Sequence, residues 1–279
     1  MSKYPIYIVS KGRAKTPYTA NWFKRDKIDF KIVVEPQEYD EYCESIGKEY
    51  VLKLPFSNLG LGSYPARNFC WEHSIGLGAE RHWVFDDNIR QMRRLHKGKR
   101  IPCDAKIAIA ALEDFTDRYN NIGLSGFEYT YFLMNTYNKP FKYNVHVYSA
   151  ILIKNNMPYR WRLKYNEDVD LCLQVLHNNL CTVSFTTFCI EKISTVAKLK
   201  GGNQDELYKG NDPSKKYLKS KSLEEIWPQY VKTVLKYDRP HHSVVWHKHF
   251  KHPLIRRTDI DWDAIQNKKY EIKLTEKKK

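Results

Sequence analysis

Short apolar runs alternate with amphipathic segments along the first 90 residues. The predicted strands are residues 5–9, 30–34, 50–55 and 82–85, and the predicted helices between them are residues 16–26, 37–46 and 65–74. Apolar runs without polar alternation are typical of strands buried on both faces. Because strands and helices alternate, we predict an α/β fold with a parallel sheet and right-handed crossovers.

The second half of the chain continues in a less regular order. Its predicted elements are helices at residues 105–119 and 168–178 and strands at residues 128–133, 143–153 and 181–190. Two side chains are expected to cap helices, Thr16 the first helix and Asn166 the last one. After residue 191 the chain becomes basic, aromatic and rich in loops. We therefore predict an α/β domain, residues 1–191, with a basic C-terminal extension, residues 192–279, packed on it.

Length and composition are those of a globular protein. With 279 residues and a hydrophobic content of 42%, the chain can bury a substantial core. No apolar run approaches the roughly 18 residues that span a bilayer, and the N-terminus lacks the apolar stretch of a secretory signal. None of the six cysteines forms a C-x-x-C pair, so we expect buried free thiols. These features predict a cytoplasmic protein without a membrane partner.

The formal charge of +15 is unevenly distributed along the chain. Residues 192–279 contain 21 lysines and arginines against 11 acidic residues, whereas residues 1–191 contain 26 against 21. Such an asymmetry suggests a polyanionic partner. We favour a nucleic acid, and the alternative is a basic surface that only aids solubility.

The strand at residues 82–85 ends in Asp86, Asp87 and Asn88. In open α/β sheets, ligands bind in the crevice beyond the carboxyl ends of the strands. Carboxylate and amide oxygens are hard donors that suit a partly hydrated Mg²⁺ or Mn²⁺ bound to phosphates. The triplet is therefore a candidate site for a metal ion and a diphosphate. The alternative is a simple turn, which Asp and Asn favour in any case.

A second acidic cluster lies at the start of the helix predicted at residues 168–178. A carboxylate within hydrogen-bond reach of an acceptor hydroxyl can serve as a general base. We favour Asp168 for this role and Glu167 next, while Asp170 is expected to be a surface or capping carboxylate. The alternative is that the cluster only stabilises the helix N-terminus, where negative charge is favourable.

Two segments combine basic residues with aromatic or histidine side chains. Residues 90–100 hold six arginines and lysines and no acid, and residues 239–252 interleave five histidines with aromatic and basic residues. Phosphate pairing and base stacking would suit a nucleic acid, and the alternative for both segments is an exposed basic loop. The histidines lack the spacing of a structural zinc site. The candidate nucleic-acid contacts are Arg90, Arg93, Arg94, Lys97, Arg100, Trp246 and Lys248.

Four segments, in their order along the chain, resemble the GT-A type of nucleotide-sugar glycosyltransferase. They are residues 5–13, 65–68, 86–88 and 166–170, and the resemblance covers roughly residues 5–190. More narrowly, the chain resembles the TET-associated glycosyltransferases, which are linked to hypermodified pyrimidines in phage DNA. The resemblance implies a Rossmann-like, mostly parallel sheet flanked by helices, a nucleotide-sugar donor and a divalent cation.

The resemblance also implies roles for individual residues. The donor would contact Ser10, Lys11, Arg13, Glu35, Arg67, Asn68, Asp86 and Asp87. The metal would be held by Asp86 and Asn88. An aspartate usually stands at the last position of this triplet, and because Asn88 brings no charge, a further ligand would be needed. Asp168, with Glu167 beside it, would take the proton of the acceptor hydroxyl.

We therefore expect a glycosyltransferase that uses Mn²⁺ or Mg²⁺ to move a sugar from a nucleotide, expected to be UDP, onto a 5-hydroxymethylpyrimidine base in DNA. Such a protein would be phage-encoded and would act in the host cytoplasm. One alternative is a transferase with a glycan or lipid-linked acceptor. Others are a non-catalytic nucleic-acid-binding protein and a nuclease that holds its metal through Glu167, Asp168 and Asp170.

Overall fold

The computed structural model describes residues 2–136, 139–193, 213–236 and 239–262, and for residues 213–216 it describes the backbone alone. Within these ranges a ten-stranded sheet is followed by a two-stranded hairpin. The strands of the large sheet are β1 Ile6–Val9, β2 Lys31–Val34, β3 Val51–Lys53, β4 Arg81–Asp86, β5 Ile89–His96, β6 Lys99–Cys103, β7 Ile122–Tyr129, β8 Phe141–Tyr143, β9 Ala150–Lys154 and β10 Cys181–Lys192. The hairpin consists of β11 Val231–Lys236 and β12 Arg239–Val244. The helices are α1 Tyr18–Arg25, α2 Tyr39–Ile46, α3 Tyr64–Gly76, α4 Ala105–Asp117, α5 Glu167–His177, α6 Pro213–Ile226 and α7 Trp246–His249.

The large sheet confirms the predicted α/β fold. Its strand order is β3-β2-β1-β4-β9-β7-β10-β5-β6, with β8 beside β10. Strands β3, β2, β1 and β4 are parallel neighbours connected by α1, α2 and α3. Beyond them, β9 runs antiparallel to both β4 and β7, and β10 runs parallel to β7. Strands β1, β2, β3, β4, β7 and β10 therefore point the same way, so their carboxyl ends meet at one edge of the sheet.

Both faces of the sheet are buried, which explains the continuous apolar runs of its central strands. Along β4, Trp83 and Phe85 belong to one core cluster and Val84 belongs to the other. Helix α1 adds Phe23 to the first cluster, and α3 adds Trp71 to the second. Removing one such buried aromatic ring typically costs about 3–5 kcal/mol. This core fixes the carboxyl ends of the strands relative to one another.

The elements after β10 pack on helix α5. Leu223, Trp227 and Phe250 form a cluster with Val169 and Leu173 of α5. Helix α5 is thus covered on two sides, by the sheet and by the C-terminal elements. This packing brings C-terminal residues close to the acidic start of α5.

Two predicted strands, residues 128–133 and 143–153, overlap only partly with the observed strands β7 Ile122–Tyr129 and β9 Ala150–Lys154. Strand β7 ends at Tyr129, where residues 130–133 turn away, and β9 begins only at Ala150. The aromatic residues that favoured a strand at 130–133 include Tyr131 and Phe132, which are exposed. A high β propensity without a neighbouring strand or a buried face does not specify a strand.

Both predicted helix caps differ from the structure. Helix α1 begins after Pro17 and no side chain caps it, so the prediction for Thr16 is wrong. Asn166 does precede α5, but its amide donates to the Lys219 carbonyl and does not cap the helix. The Asn166 side chain thus bonds a residue that is distant in the sequence, and it does not form the predicted hydrogen bond to the first turn of α5.

All six cysteines are free, as predicted; four are buried, and Cys43 and Cys103 are partly buried. No helix within the described ranges is both long and apolar enough to cross a membrane.

Candidate functional site

A cavity of about 300 Å³ lies at the edge where the carboxyl ends of the strands meet. Its walls come from the residues after β1, β2 and β4, from the loop before α3 and from the end of β10. Of the predicted donor and metal residues, those that line the cavity are Ser10, Lys11, Arg13, Glu35, Arg67, Asp86, Asp87 and Asn88. The topology explains this convergence, because residues that follow parallel strands are brought to the same edge.

Asn68 is the predicted donor residue that does not line the cavity. Its Nδ2 donates to the Trp161 carbonyl at 2.8 Å, and its Oδ1 accepts a hydrogen bond from the Trp161 N–H at 3.0 Å. The Trp161 ring packs against the Arg67 guanidinium, 4.8 Å from the ring centroid. Asn68 therefore holds the segment that supports Arg67, and a direct contact with the donor stays a prediction.

The Asp87 carboxylate fixes the loop after β1. Its Oδ2 accepts a hydrogen bond from Ser10 Oγ at 2.7 Å, and its Oδ1 forms an ion pair with Arg13. The Tyr42 hydroxyl contacts Ser10 Oγ and accepts a hydrogen bond from the Arg13 N–H. Burial raises the pKa of Asp87, although Arg13 opposes this effect. These interlocked side chains shape one wall of the cavity.

Asp86, at the end of β4, lies between two cations. Its Oδ1 is 2.8 Å from Arg67 Nη2, and its Oδ2 is 2.6 Å from Lys192 Nζ and 2.7 Å from Ser149 Oγ. Burial raises the pKa of Asp86, but Lys192 and Arg67 outweigh burial and hold this pKa below its ordinary value. Burial lowers the pKa of Lys192, but Asp86 outweighs burial and raises it. Both partners therefore stay charged.

Lys192 is a cavity residue that the sequence did not single out. It is the last residue of β10, and its ammonium also donates to Tyr129 Oη at 2.9 Å and to Ser149 Oγ at 2.8 Å. Tyr129 ends the parallel neighbour β7, so both side chains reach the carboxyl edge. The rule that selects Asp86 at the end of β4 applies to Lys192 as well, but only because β10 runs parallel to β7, which the sequence pattern does not show.

The oxygens around Asp86 do not fit the predicted metal ion. Both carboxylate oxygens of Asp86 already contact cations or a hydroxyl. Asn88 offers only a neutral oxygen, Oδ1, which is buried without a hydrogen-bond partner. In the described part of the chain, no three histidine, cysteine or acidic side chains are grouped closely enough to hold a metal. A divalent cation at Asp86 would meet Lys192, and two unit charges about 4 Å apart already repel by about 4 kcal/mol near a protein surface.

Lys11 and Glu35 form an ion pair in the cavity wall. Lys11 Nζ is 2.7 Å from Glu35 Oε2, and the lysine side chain is half exposed. Burial raises the pKa of Glu35, but hydrogen bonds from Lys11 and Gln37 outweigh burial and lower it. Exposed pairs contribute little to stability, so this lysine can exchange its partner for an anionic ligand at small cost.

Gly62 joins the cavity loop to the segment before α5. Its φ is +76°, and a Cβ at this position would lie 2.6 Å from the Lys164 carbonyl oxygen. Glycine is the residue that accepts both conditions. The next residue, Ser63, donates a hydrogen bond to Glu167 Oε1 at 2.9 Å. The cavity and the acidic cluster of α5 are therefore in direct contact.

Asp168, the predicted base, lies next to Glu167 and contacts a histidine. Its Oδ2 is 3.1 Å from His146 Nε2, and both side chains are partly exposed. Burial raises the pKa of Asp168, but His146 and Arg67 outweigh burial and lower it. Burial also raises the pKa of Glu167, which lies 3.6 Å from Arg67 Nε. Asp168 is therefore the more readily ionised of the two carboxylates, which is the state that a general base requires.

Aromatic side chains surround His146. The Trp246 ring stacks on it with centroids 6.0 Å apart and planes 8° apart, and the Tyr148 ring lies 4.9 Å away. His242, whose pKa burial lowers to about 4, interacts electrostatically with Asp168. Trp246 and His242 come from the C-terminal elements, which therefore complete the surroundings of Asp168. The sequence predicted Trp246 as a contact residue but carried no signal for His146, a single histidine in a loop.

Asp170 is fully buried, so the prediction of a surface or capping carboxylate is wrong. Its oxygens accept hydrogen bonds from Arg162 Nε at 3.0 Å, Gln174 Nε2 at 2.8 Å and Trp227 Nε1 at 2.7 Å. Trp227 belongs to the C-terminal elements that cover α5, and this cover is what buries the carboxylate. Among the described residues, Asp170 forms no metal-binding group with Glu167 and Asp168.

The predicted nucleic-acid residues lie on two elements. Hairpin β5–β6 carries Arg90, Arg93, Arg94, Lys97 and Arg100, and α7 carries Trp246 and Lys248. The basic run is therefore a β-hairpin and not an exposed loop. Arg93 pairs with Glu191, and Arg100 donates to the Leu133 carbonyl. Arg90, Lys97 and Lys248 are exposed, and contact with a nucleic acid stays a prediction for the whole set.

The fold and the cavity define an α/β protein with a candidate ligand site at the carboxyl edge of its sheet, lined by paired charges. Residues 4–202 match the TET-Associated Glycosyltransferase family. The chain belongs to this family and is a glycosyltransferase.

One similar solved structure is that of a protein assigned as a nucleotide-diphospho-sugar transferase from Desulfovibrio desulfuricans G20. The two chains are 12% identical with a TM-score of 0.37, and the match covers 66% of this chain and 80% of the other. No match was found among curated protein sequences.

Proposed function

We propose that this glycosyltransferase moves a sugar from a UDP-sugar onto the hydroxymethyl group of a 5-hydroxymethylpyrimidine base in DNA. The observation that carries the proposal is the contact between the cavity and the start of α5. Arg67 binds Asp86 with one nitrogen and lies 3.6 Å from Glu167 with another. A donor bound in the cavity is therefore adjacent to Asp168, which we assign as the base.

The charges of the cavity support a nucleotide-diphosphate donor. Lys192 and Arg67 both bind Asp86, and Arg67 also lies 3.6 Å from Glu167, so two cations face two carboxylates in the cavity wall. Arg67 Nη1 is buried without a hydrogen-bond partner. A buried donor left unsatisfied is costly, and a guanidinium binds phosphate oxygens strongly. The choice of UDP rests on the resemblance of the sequence to the family.

In the proposed reaction, the acceptor hydroxyl attacks the anomeric carbon of the sugar. Asp168 takes the proton of the hydroxyl. The bond between the anomeric carbon and the β-phosphate oxygen breaks, and the diphosphate leaves with the bonding electrons. His146 keeps the Asp168 carboxylate ionised before the proton arrives. The predicted Mn²⁺ or Mg²⁺ has no part in these steps, because the oxygens around Asp86 do not fit it.

The basic and aromatic residues support DNA as the acceptor. The net charge of +15 favours a polyanion, and Arg90, Lys97 and Lys248 are exposed to contact phosphates. Trp246 stacks on His146 close to the proposed base, and such rings can also stack on nucleobases. The C5 substituent of a pyrimidine lies in the major groove, where a protein can reach it.

Product analysis tests the proposal directly. The protein is incubated with duplex DNA that contains 5-hydroxymethylcytosine or 5-hydroxymethyluracil and with a panel of UDP-sugars. The DNA is then digested to nucleosides and weighed by mass spectrometry. We expect one sugar mass on the modified nucleoside and none in matched DNA with unmodified pyrimidines. No mass gain with any donor on either modified DNA would refute the DNA acceptor.

The alternative functions give different results. A transferase for glycans would bind UDP-sugars but would not retard duplex DNA in a salt-dependent manner. A nuclease would nick unmodified plasmid in Mg²⁺, and a non-catalytic binder would function unchanged with Asp168→Asn. The cytoplasmic location and the phage origin stay predictions.

A further inference from the structure

The Lys192 ammonium is held in one position by three oxygens. Its Nζ is 2.6 Å from Asp86 Oδ2, 2.8 Å from Ser149 Oγ and 2.9 Å from Tyr129 Oη. An ammonium has three N–H bonds, so these contacts fix it fully. The side chain is 15% exposed and lines the cavity. The result is a preorganised positive charge in the cavity wall.

Arg67 binds the other oxygen of the Asp86 carboxylate. Its Nη2 binds Asp86 Oδ1 at 2.8 Å, while its Nη1 is buried and has no hydrogen-bond partner. Asp86 therefore orients two cations, one of which keeps a donor available for a ligand. Arg67 also lies 3.6 Å from Glu167, so its Nη1, which neither carboxylate binds, is the atom that points to a ligand.

We infer that Lys192 and Arg67 supply the positive charge that the leaving diphosphate requires and so take the place of a divalent metal ion. This inference rests on the proposed function, since it concerns the diphosphate of the donor. As the bond from the anomeric carbon to the β-phosphate oxygen breaks, that oxygen keeps the electron pair and gains negative charge. The acceptor proton passes to Asp168, so atoms and charge balance without a metal. Fixed cations beside the oxygen stabilise its charge without reorganisation.

The ligand chemistry of the cavity supports this assignment. Of the oxygens that were predicted to hold the metal, Asp86 Oδ2 is bound to Lys192 and Asp86 Oδ1 to Arg67. The remaining ligand, Asn88 Oδ1, is neutral, and Asn88 Nδ2 is engaged with the Ile193 carbonyl at 3.0 Å. An ammonium thus stands at the position where a metal would otherwise bind the carboxylate.

Calorimetry and sugar transfer in two buffers test the inference on the full-length protein. UDP binding is measured by titration calorimetry after metal removal, once with EDTA and once with Mn²⁺. Transfer from a UDP-sugar to 5-hydroxymethylcytosine DNA is measured in the same buffers. We expect wild-type protein to bind UDP and to transfer sugar equally well in both. This measurement needs no variant, so it does not depend on whether a substitution is tolerated.

Two variants of Lys192 and one control variant then test the lysine cation. Lys192→Met removes the charge but keeps most of the side-chain volume, and we expect kcat to fall about 100-fold or more. Lys192→Arg keeps the charge and should recover much of the loss. Lys3→Met is the matched control, because Lys3 forms an ion pair with Asp117 at 2.8 Å and does not line the cavity. It should bind UDP and transfer sugar as the wild type does.

The outcomes separate the inference from the function on which it rests. UDP binding or transfer that requires Mn²⁺ overturns the inference but leaves the proposed function standing. Wild-type kcat in a folded Lys192→Met protein also overturns the inference. Absence of UDP binding in both buffers overturns the proposed function and the inference together.

Discussion

His146 Nε2 lies 3.1 Å from Asp168 Oδ2, at the acidic start of α5. The contact joins the loop before β9 to the first turn of α5. The ring of Trp246, from helix α7, stacks on the histidine. A positively charged or polar neighbour at this distance favours the ionised form of a carboxylate. The pair therefore sets both the position and the charge of the proposed base.

Replacing the proposed base should reduce turnover and leave donor binding intact. For Asp168→Asn we expect kcat to fall by about 10²–10⁴-fold, because the amide cannot accept the hydroxyl proton. UDP affinity, measured by calorimetry, should match that of the wild type. Asp259→Asn is the control, since Asp259 is an exposed carboxylate paired with Arg257. Unchanged turnover in Asp168→Asn would exclude Asp168 as the base.

Removing His146 should change the pH dependence of turnover. His146 is the main group that lowers the pKa of Asp168, so the wild-type carboxylate should stay ionised to below its ordinary value of 3.8. In His146→Gln the effect of burial remains, so the pKa should rise and the acid limb of the kcat profile should move to higher pH. His177→Gln serves as the control, because His177 contacts Tyr230 away from the cavity wall. Coinciding acid limbs in the wild type and His146→Gln would contradict this coupling.

A variant of Asn68 can show whether this residue contacts the donor or only holds the Trp161 segment that supports Arg67. Asn68→Ala loses both hydrogen bonds to the Trp161 backbone, so the free energy of unfolding should fall by about 1–3 kcal/mol. UDP affinity should change little, and only through the position of Arg67. Urea unfolding and calorimetry measure the two effects separately. A large loss of UDP affinity at unchanged stability would instead support the direct contact predicted from the sequence.

Asp170 should be important for stability and not for chemistry. The Asp170 side chain is fully buried against Arg162, Gln174 and Trp227, and removing one partner of a buried ion pair costs about 3–5 kcal/mol. Because Arg162 is half exposed, Asp170→Ala should lie near the lower end of that range. Thermal unfolding measures the loss. A stable Asp170→Ala protein that has lost a Mg²⁺-dependent nicking activity would favour the nuclease alternative.

Buried His82 should make the folded protein sensitive to mild acid. Burial lowers the pKa of His82 to about 4, and the neutral ring contacts Asn155 Oδ1 at 2.6 Å. Below its ordinary pKa of 6.5 the unfolded chain binds a proton that the folded chain does not. The free energy of unfolding should therefore fall as pH drops from 6.5 towards 4, by up to about 3 kcal/mol. Urea unfolding across this range should show a smaller pH dependence for His82→Gln, and equal slopes would contradict the assignment.

The donor side of the cavity was largely predictable from the sequence. Asp86, Glu35 and Ser10 each follow a strongly apolar strand, and parallel strands release such residues at the same edge. The topological rule selected Asp86 from the sequence, whereas Ser10 and Glu35 were assigned through the resemblance to the glycosyltransferase family. Asn68 was assigned to the donor through the resemblance, and because its amide bonds the Trp161 backbone outside the cavity lining, its contact with the donor stays a prediction.

The remaining residues depend on long-range packing that the sequence pattern does not contain. Lys192 and His146 enter the site only because β10 lies next to β7 and because β9 is inserted antiparallel between β4 and β7. Asp170 is buried by Trp227, which is 57 residues away in the chain. Carboxylates at a helix start are usually solvated, so its burial could not be predicted without the C-terminal elements.

The position of Lys192 also bears on when the protein can become active during synthesis. The backbone carbonyl of Asn88 accepts a hydrogen bond from the Ile193 N–H at 2.9 Å, and Asn88 Nδ2 donates one to the Ile193 carbonyl, so the end of β10 is held against the turn after β4. The ribosome produces β1 to β4 about 100 residues before this closing strand. A nascent or truncated chain can therefore contain every predicted donor residue and still lack the part of the cavity wall that the end of β10 provides.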